Sequence, residues 1–187
     1  MVARTGEDER VTALAIAAGR GDRKALEAWV RATQADVWRF LAHLTEPRSA
    51  DDLTQETYLR AFQSLRRFAG RSSSRTWLLS IGRRVVVDQY RAASARPKIS
   101  GHTDWETAAE RQAPRGSGFE DLVELGLLLD ALPQDRREVL VLTQVLGLSY
   151  DEAAEVCGCP VGTIRSRVAR AREDLLSATT AQANDAM

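Results

Sequence analysis

The stretch from residue 149 to residue 172, SYDEAAEVCGCPVGTIRSRVARAR, constrains the fold more than any other part of the chain. Ser149 is followed three residues later by Glu152, a capping box in which both side chains satisfy free amides at a helix start. Gly158 stands where a helix ends in a left-handed residue, and Pro160 suits the first turn of a second helix. The apolar residues of that second helix recur every three or four positions and predict one buried stripe: Ile164, Val168, Ala171 and Leu175.

Two short helices joined by a glycine turn predict a helix-turn-helix, whose second helix can enter the major groove of DNA. The face opposite the buried stripe is small at its start and basic further on, which allows close approach to base edges. The residues of this face are Val161, Gly162, Thr163, Ser166 and Arg170, and Arg165, Arg167 and Arg172 lie along its flanks. The alternative is a helical hairpin whose arginines only solvate its surface. The small residues and the arginines together favour DNA recognition.

The distribution of charge supports a nucleic-acid partner, although the total charge does not. The 187 residues carry 26 basic and 26 acidic side chains, so the formal net charge is zero. Between residues 66 and 98, however, nine basic residues accompany one acid, Asp88, and this segment has a net charge of +8. The compensating acids lie elsewhere, as expected of a protein with one face for DNA and another for a protein partner.

The first helices are predicted from the spacing of their apolar residues. Residues 1–10 show no sustained pattern and are expected to fray. A short helix should run from Val11 to about Gly19. A long amphipathic helix should follow, with a core stripe of Leu26, Trp29, Val30, Val37, Phe40, Leu41 and Leu44. The aromatic residues of this helix are expected in the core and not on a binding surface.

A helix predicted over about residues 50–65 carries two different faces. The inward face is Leu53, Thr57, Ala61 and Leu65, with Tyr58 and Phe62 beside it. The other face is Asp52, Gln55, Glu56, Leu59 and Gln63. An unburied leucine among acids and amides is typical of a protein-docking surface. The alternative is a solvated face that carries one stray leucine.

Residues 68–76, FAGRSSSRT, are predicted to form a loop, and a basic helix is expected from Trp77 onwards. Small residues leave backbone amides open in such a loop, and its arginines suit phosphates. The exposed side of the helix should hold Arg83, Arg84, Asp88 and Arg91. Together the loop and the helix predict a platform on which bases of single-stranded DNA stack. The alternative is an ordinary connection followed by a solvated helix.

A stretch rich in proline and glycine, without a sustained period, predicts a linker between two domains. Beyond it, one helix should begin at Phe119, and a second should begin at Pro133 and end at Gly147. With the helix-turn-helix they form a four-helix unit. The expected fold is all-α, without strands. Its divisions are a helical domain at 1–93, a flexible linker at 94–118 and the four-helix domain at 119–187.

Nothing in the sequence is typical of a catalytic site. The two histidines, His43 and His102, fall in a helix and in the linker, and no nucleotide-binding, zinc-protease or serine-hydrolase motif occurs. Asp51 and Asp52 are adjacent and diverge by about 100° on a helix, so they cannot form a paired-carboxylate site. We therefore expect neither an enzyme nor a bound cofactor or metal.

The cysteines and the N-terminus indicate where the protein acts. Cys157 and Cys159 are too close for an ordinary disulfide and lack the spacing of a CxxC site, so core filling is expected, with thiol sensing as the alternative. No signal peptide and no apolar run of about 18 residues is present. A cytoplasmic location is expected.

Three segments, in this order around the linker, resemble the extracytoplasmic-function (group IV) sigma factors of bacterial RNA polymerase, in particular the actinobacterial sigma C subgroup. They are ADDLTQETYLRAF at 50–62, RTWLLSIGRRVVVDQYR at 75–91 and LPQDRREVLVLTQVLGLSYDEAAEVCGCPVGTIRSRVARAR at 132–172. The resemblance implies a sigma region 2 domain followed by a sigma region 4 domain. It also implies a transcription initiation factor that binds core polymerase and directs it to specific promoters.

The resemblance further implies roles for individual residues. The coiled coil of the largest polymerase subunit should be bound by Asp51, Asp52, Gln55, Glu56 and Leu59. The melted minus-ten element, with a flipped base in the loop, should be bound by Phe68, Arg71, Ser72, Ser73, Arg75, Trp77, Arg83, Arg84, Asp88 and Arg91. The duplex minus-thirty-five element should be read by Val161, Gly162, Thr163, Arg165, Ser166, Arg167 and Arg170, with the preceding helices against the polymerase flap. Many family members have Asn where this chain has Arg84, so their base preference does not transfer.

The linker is long enough for both promoter elements to be bound at once. Two elements about 25 base pairs apart are separated by about 85 Å of duplex. A linker of about 25 residues is a coil of roughly 25–30 Å but can extend to about 80–90 Å. The linker must therefore be well extended in the promoter complex.

Two other classes of protein, and one further partner, are left open by the sequence. A helix-turn-helix repressor would bind promoter duplex without polymerase, and a small helical enzyme would turn over a nucleotide substrate. The sequence does not show whether an anti-sigma factor binds the chain, or whether the two domains pack on each other before polymerase is bound.

Overall fold

The computed structural model describes residues 2–95, 129 and 131–185. These residues form helices and short connections, and no strand occurs among them. The predicted linker from residue 96 onwards, and most of the helix predicted from Phe119, lie outside the described residues. The helices are α1 (Val2–Gly19), α2 (Arg23–Leu44), α3 (Pro47–Leu65), α4 (Ser74–Ala95), α5 (Gln134–Leu140) with a π-helical turn (Val141–Val145), α6 (Tyr150–Cys157) and α7 (Val161–Asp185).

The prediction that residues 1–10 fray is wrong from residue 2 onwards, because α1 begins at Val2. The polar N-terminal half continues the helix that the buried residues Val11 and Ala15 anchor in the core. At its end, Gly19 approaches the backbone of α3. A Cβ built on Gly19 would lie 2.7 Å from the carbonyl oxygen of Leu65, closer than real contacts allow. The close crossing of α1 and α3 therefore requires glycine at this position.

The core of the N-terminal helices forms around α2, as predicted. Trp29, Val37 and Phe40 are all buried. Asp22 precedes α2 as its N-cap, and its side chain accepts a hydrogen bond from the amide of Ala25 at 3.0 Å. Thr33 is a buried polar residue within this stripe. Its hydroxyl donates to the Trp29 carbonyl at 2.8 Å and lies 2.7 Å from the Tyr58 hydroxyl. Burial raises the pKa of Tyr58 to about 12.

Two helices begin earlier than predicted. Helix α3 begins at Pro47, whose fixed φ and missing N–H suit the first turn. Helix α4 begins at Ser74 and not at Trp77. Buried Ser74 accepts a hydrogen bond from Trp29 Nε1 at 3.1 Å and donates its amide to Thr12 Oγ1 at 2.9 Å. These tertiary contacts turn the end of the predicted loop into the first turn of α4.

The C-terminal helices confirm the predicted helix-turn-helix. Ser149 and Glu152 form the capping box, and Gly158 ends α6 in the left-handed region with a φ of 63°. Ile164, Val168 and Ala171 of α7 are buried. The Cys157 side chain is buried and that of Cys159 is partly buried, which confirms their prediction as core residues.

Val145 and Phe62, like Trp38 of α2, face solvent where the sequence predicted burial. Val145 is 39% exposed because it ends the π-helical turn, whose wider spacing rotates it away from the α-helical stripe. Phe62 of α3 is 41% exposed, and its ring remains 5.9 Å from that of Tyr58. Its position beside the predicted inward stripe places it at the edge of the core and not within it.

The N-terminal and C-terminal helices pack on each other. Arg83 Nε of α4 lies 2.6 Å from Glu138 Oε1 of α5, and the Glu138 side chain is nearly buried. Arg75 Nη2, at the start of α4, donates to the carbonyl of Leu146 at 2.8 Å. The N-terminal and C-terminal halves, which the sequence predicts to be joined by a flexible linker, are therefore in direct polar contact in this structure.

Two glycines of α1 offer an opposed pair of substitutions. Gly19→Ala should lower the free energy of unfolding by about 1–3 kcal/mol, because its Cβ meets backbone atoms that cannot move aside. Gly6→Ala should raise it by about 0.5–1 kcal/mol, since nothing lies within 4 Å of the added Cβ and alanine favours a helix. Urea unfolding followed by circular dichroism measures both. Equal effects of the two substitutions would contradict the close crossing of α1 and α3.

Candidate functional sites

The predicted docking face of α3 is exposed to solvent. We define the docking face as Asp51, Asp52, Gln55, Glu56 and Leu59. The Leu59 side chain is 57% exposed, Asp52 and Gln55 are also exposed, and Glu56 is half-buried. Asp51 is not free, because its Oδ1 accepts a 2.8 Å hydrogen bond from Nε1 of Trp38 in α2. Trp38 is itself 42% exposed, so the prediction that the aromatic residues of this helix lie in the core is wrong for Trp38.

One arginine joins the docking face to the basic helix. Arg60 Nε donates to Glu56 Oε1 at 2.7 Å, and its Nη1 donates to Asp88 Oδ2 of α4 at 2.6 Å. The hydrogen bond to Asp88, and then that to Glu56, raise the pKa of Arg60 above its usual value. Asp88, predicted to face the minus-ten element, is thus held towards α3. Because 28 residues separate it from Arg60, sequence spacing could not reveal this pair.

The predicted single-strand platform is built on packed aromatic rings. The ring centroids of Phe68 and Trp77 lie 4.7 Å apart. The centroid of the Trp77 ring also lies 6.3 Å from that of the buried Trp29. Both Phe68 and Trp77 are partly buried. Ser73 Oγ accepts the amide of Thr76 at 3.0 Å and so caps the first turn of α4. These contacts fix the loop against the core.

The five arginines predicted to bind the minus-ten element fall into two groups. Arg71, Arg84 and Arg91 are exposed. Arg75 is buried, and besides Leu146 it binds Asp36, with its Nε 2.6 Å from Oδ2. Burial of Arg83 favours a lower pKa, but the hydrogen bond to Glu138 and the charge attraction of Glu138 and the nearby cysteines together outweigh it and raise the pKa. In this structure the guanidinium groups of Arg75 and Arg83 therefore both bind residues of the C-terminal half, Leu146 and Glu138.

A cleft separates α4 from α5 beside the Arg83–Glu138 pair. Its volume is about 780 Å³. Apolar side chains of α4 form one wall, and Tyr90 closes one side by donating its hydroxyl to the Leu44 carbonyl at 3.0 Å. Arg91 also lines this cleft. The predicted minus-ten surface thus borders the contact between the two halves of the protein.

The predicted minus-thirty-five surface lies at the start of α7 and is largely open. Nothing lies within 4 Å of a Cβ built on Gly162, so this position allows close approach of a duplex. Arg165, Ser166 and Arg170 are exposed, and Val161 and Thr163 are half-buried. Arg167 is half-buried, with its Nε 3.2 Å from Asp135 Oδ2 of α5. Six of the seven predicted residues thus share an accessible surface, while the seventh is paired with α5.

The described residues contain no grouping of three or more histidine, cysteine or acidic side chains that could hold a metal ion. Burial, with the nearby Glu138 carboxylate as a smaller contribution, raises the pKa of the Cys157 thiol to about 12. This thiol is therefore protonated and unreactive near neutral pH. Within the described ranges, no helix is long and apolar enough to cross a membrane.

Comparison with known proteins agrees with this arrangement. The family model for sigma-70 region 2 matches residues 29–96, and that for sigma-70 region 4 matches residues 122–175. The chain is 55% identical over 177 residues to the probable RNA polymerase sigma-C factor of Mycobacterium bovis, with 95% of each chain covered. The chain belongs to the extracytoplasmic-function sigma factors. The resemblance inferred from the three sequence segments is thereby confirmed.

Other relatives of this sigma factor agree with the assignment. It is 55% identical over 177 residues to the ECF RNA polymerase sigma factor SigC of Mycobacterium tuberculosis, with 95% of each chain covered. It is 40% identical over 126 residues to the ECF RNA polymerase sigma factor EcfG of Rhodopseudomonas palustris, with 67% of this chain and 68% of the relative covered. Sigma factors are promoter-specific initiation factors that bind core RNA polymerase and promoter DNA and are not enzymes.

Solved structures confirm the all-helical fold of this sigma factor. The sigma factor RpoE from Bartonella quintana, solved in complex with the anti-sigma factor NepR, has a TM-score of 0.72 and 32% identity, covering 82% of this chain and 96% of RpoE. CnrH, solved in complex with the cytosolic domain of CnrY, has a TM-score of 0.69 and 27% identity, covering 91% of this chain and 97% of CnrH.

Proposed function

We propose that this sigma factor opens promoters by dividing four binding tasks between two domains. Residues 1–93 dock on the largest-subunit coiled coil of core polymerase through the docking face and capture the unpaired minus-ten strand. Residues 119–187 dock on the flap and read the minus-thirty-five element as duplex. The linker at 94–118 extends between them. Binding free energy, and not a chemical step, drives strand opening.

The observation that carries the proposal is the presence of two exposed surfaces of opposite chemistry. The docking face on α3 combines acids with the exposed Leu59, a composition suited to a basic protein surface. The start of α7 presents the open Gly162 followed by exposed arginines, a composition suited to a phosphate backbone and base edges. A protein that binds only DNA would not need the first surface.

Binding of the minus-ten strand requires the two halves of the protein to separate. Arg75 and Arg83 are both proposed minus-ten contacts, and here they bind the Leu146 carbonyl and Glu138. Phosphate groups can replace these partners, because a guanidinium binds phosphate as well as it binds carboxylate. Separation also frees the chain to span both promoter elements.

An anti-sigma factor is part of the proposed set of partners. The Bartonella quintana relative was solved in complex with the anti-sigma factor NepR. We propose by this likeness that a protein of the same class binds the present chain and controls its access to polymerase.

Reversal of charge on the docking face tests polymerase binding. Asp52→Arg, and separately Leu59→Arg, should weaken the affinity for core polymerase by about tenfold or more, because like charges at an interface cost several kcal/mol. Both side chains are exposed, so the helix content and the unfolding midpoint should not change. Fluorescence anisotropy with the labelled full-length protein measures the affinity.

A matched control for Asp52→Arg is Glu9→Arg, which makes the same change of charge at an exposed position of α1. This variant should bind polymerase as tightly as the unchanged protein. If Asp52→Arg and Leu59→Arg also retain full affinity, the docking face is not the polymerase contact.

Removal of a single arginine from the start of α7 tests duplex recognition. Arg165→Ala in the holoenzyme should weaken minus-thirty-five binding and lower the slope of log affinity against log salt by about one phosphate contact. Arg167→Ala should lower the slope less, because Arg167 is paired with Asp135 before DNA arrives. The exposed Arg20→Ala serves as control and should leave the slope unchanged. An unchanged slope for Arg165→Ala would contradict the proposal that the start of α7 contacts the duplex.

A further inference from the structure

An exposed tryptophan lies beside the docking face on a different helix. Trp38 of α2 is 42% exposed, whereas Trp29 on the same helix is completely buried. The Nε1 group of Trp38 donates a 2.8 Å hydrogen bond to Asp51 Oδ1 of α3. The indole ring is therefore held at the surface by its polar edge, while a large apolar area remains in contact with water.

The position of the ring continues the docking face. Asp51, Gln55 and Leu59 follow one another at intervals of four residues, so they form a row along one side of α3. The indole ring lies at the Asp51 end of this row, and the exposed Leu59 lies at the other end. The acids Asp52 and Glu56 fall between the two apolar groups in sequence.

The composition of this extended face indicates what it would bind. Tryptophan is among the residues most enriched at positions that dominate binding energy in protein interfaces. A ring that is already fixed by a hydrogen bond loses little rotational freedom on binding. The acids beside it require a basic surface, and the two apolar groups require pockets between the basic side chains of that surface.

We propose that Trp38 anchors this sigma factor to core polymerase, and that Asp51 contributes to the docking face by positioning the indole ring, whereas the other residues of that face contact the partner directly. This rests on the proposed docking of α3 on the largest-subunit coiled coil, and it extends that interface onto α2. The occupant is a basic helical surface of polymerase with an apolar pocket that receives the indole ring.

The competing explanation is that the hydrogen bond only ties α2 to α3. In that case loss of the ring would lower the stability of the fold and would leave the affinity of the folded protein unchanged. The two explanations differ in what they predict for affinity at temperatures well below the unfolding transition.

The test compares four variants of the full-length protein by anisotropy competition for core polymerase. Trp38→Ala should weaken the affinity about tenfold or more, and Trp38→Phe, which keeps an aromatic ring, should weaken it less. Asp51→Ala releases the ring and should weaken the affinity several-fold. Asp51→Asn keeps an oxygen acceptor and should bind nearly as tightly as the unchanged protein.

A double-variant cycle separates positioning from direct contact. In the Trp38→Ala background, Asp51→Ala should cause no further loss, because the ring that Asp51 positions is already absent. The same loss in both backgrounds would show that Asp51 contacts polymerase directly and would overturn its positioning role.

The control is Tyr90→Ala, which removes another exposed aromatic ring with a single hydrogen bond, from Tyr90 Oη to the Leu44 carbonyl on α2. It should bind polymerase with unchanged affinity. If Trp38→Ala binds as tightly as the unchanged protein while Asp52→Arg does not, the proposed anchor role of Trp38 is wrong, and polymerase binding by the docking face is retained. If Asp52→Arg also retains its affinity, the docking proposal itself fails.

Discussion

The arrangement of the whole protein depends on two arginines of α4 that are withdrawn from solvent. A guanidinium cannot lose its charge, so burial requires oxygen partners that replace water. Arg75 finds them in Asp36 and the Leu146 carbonyl, and Arg83 finds one in Glu138. Two of these three contacts, to the Leu146 carbonyl and to Glu138, join the two halves, and the third, to Asp36, joins α4 to α2. The same side chains hold the domains together and form part of the proposed minus-ten surface.

Under the proposed minus-ten role of Arg75 and Arg83, the closed arrangement and promoter binding are mutually exclusive at those two side chains. The contacts that the C-terminal helices make with Arg75 and Arg83 are polar and local, and a phosphate backbone offers oxygen atoms in their place. The start of α7 remains open in the closed arrangement, and so does the docking face on α3. Polymerase can therefore engage the chain before the two halves separate, which gives the proposed mechanism an order of events.

Local signals in the sequence predicted the parts of the fold that depend on neighbouring residues. The Ser149–Glu152 capping box and the left-handed Gly158 specify their turn within a few residues, and both were predicted correctly. The start of α4 was misplaced because Ser74 is held by Trp29 and Thr12, which are 45 and 62 residues away. The burial of Arg75 depends on Leu146, 71 residues distant, and an arginine beside serines otherwise predicts exposure. Trp38 was wrongly assigned to the core with the other aromatic residues of its helix, because the sequence does not reveal that Asp51 of the next helix holds the indole ring at the surface.

The measurement that tests the central claim most directly is run-off transcription with purified core polymerase on a library of promoter fragments, with and without this protein. The account predicts specific starts only in the presence of the protein, with two shared upstream elements that alignment of the active fragments would define. The absence of specific starts, despite firm binding to polymerase, would contradict a role in initiation. The absence of polymerase binding, with tight binding to promoter duplex alone, would indicate a repressor.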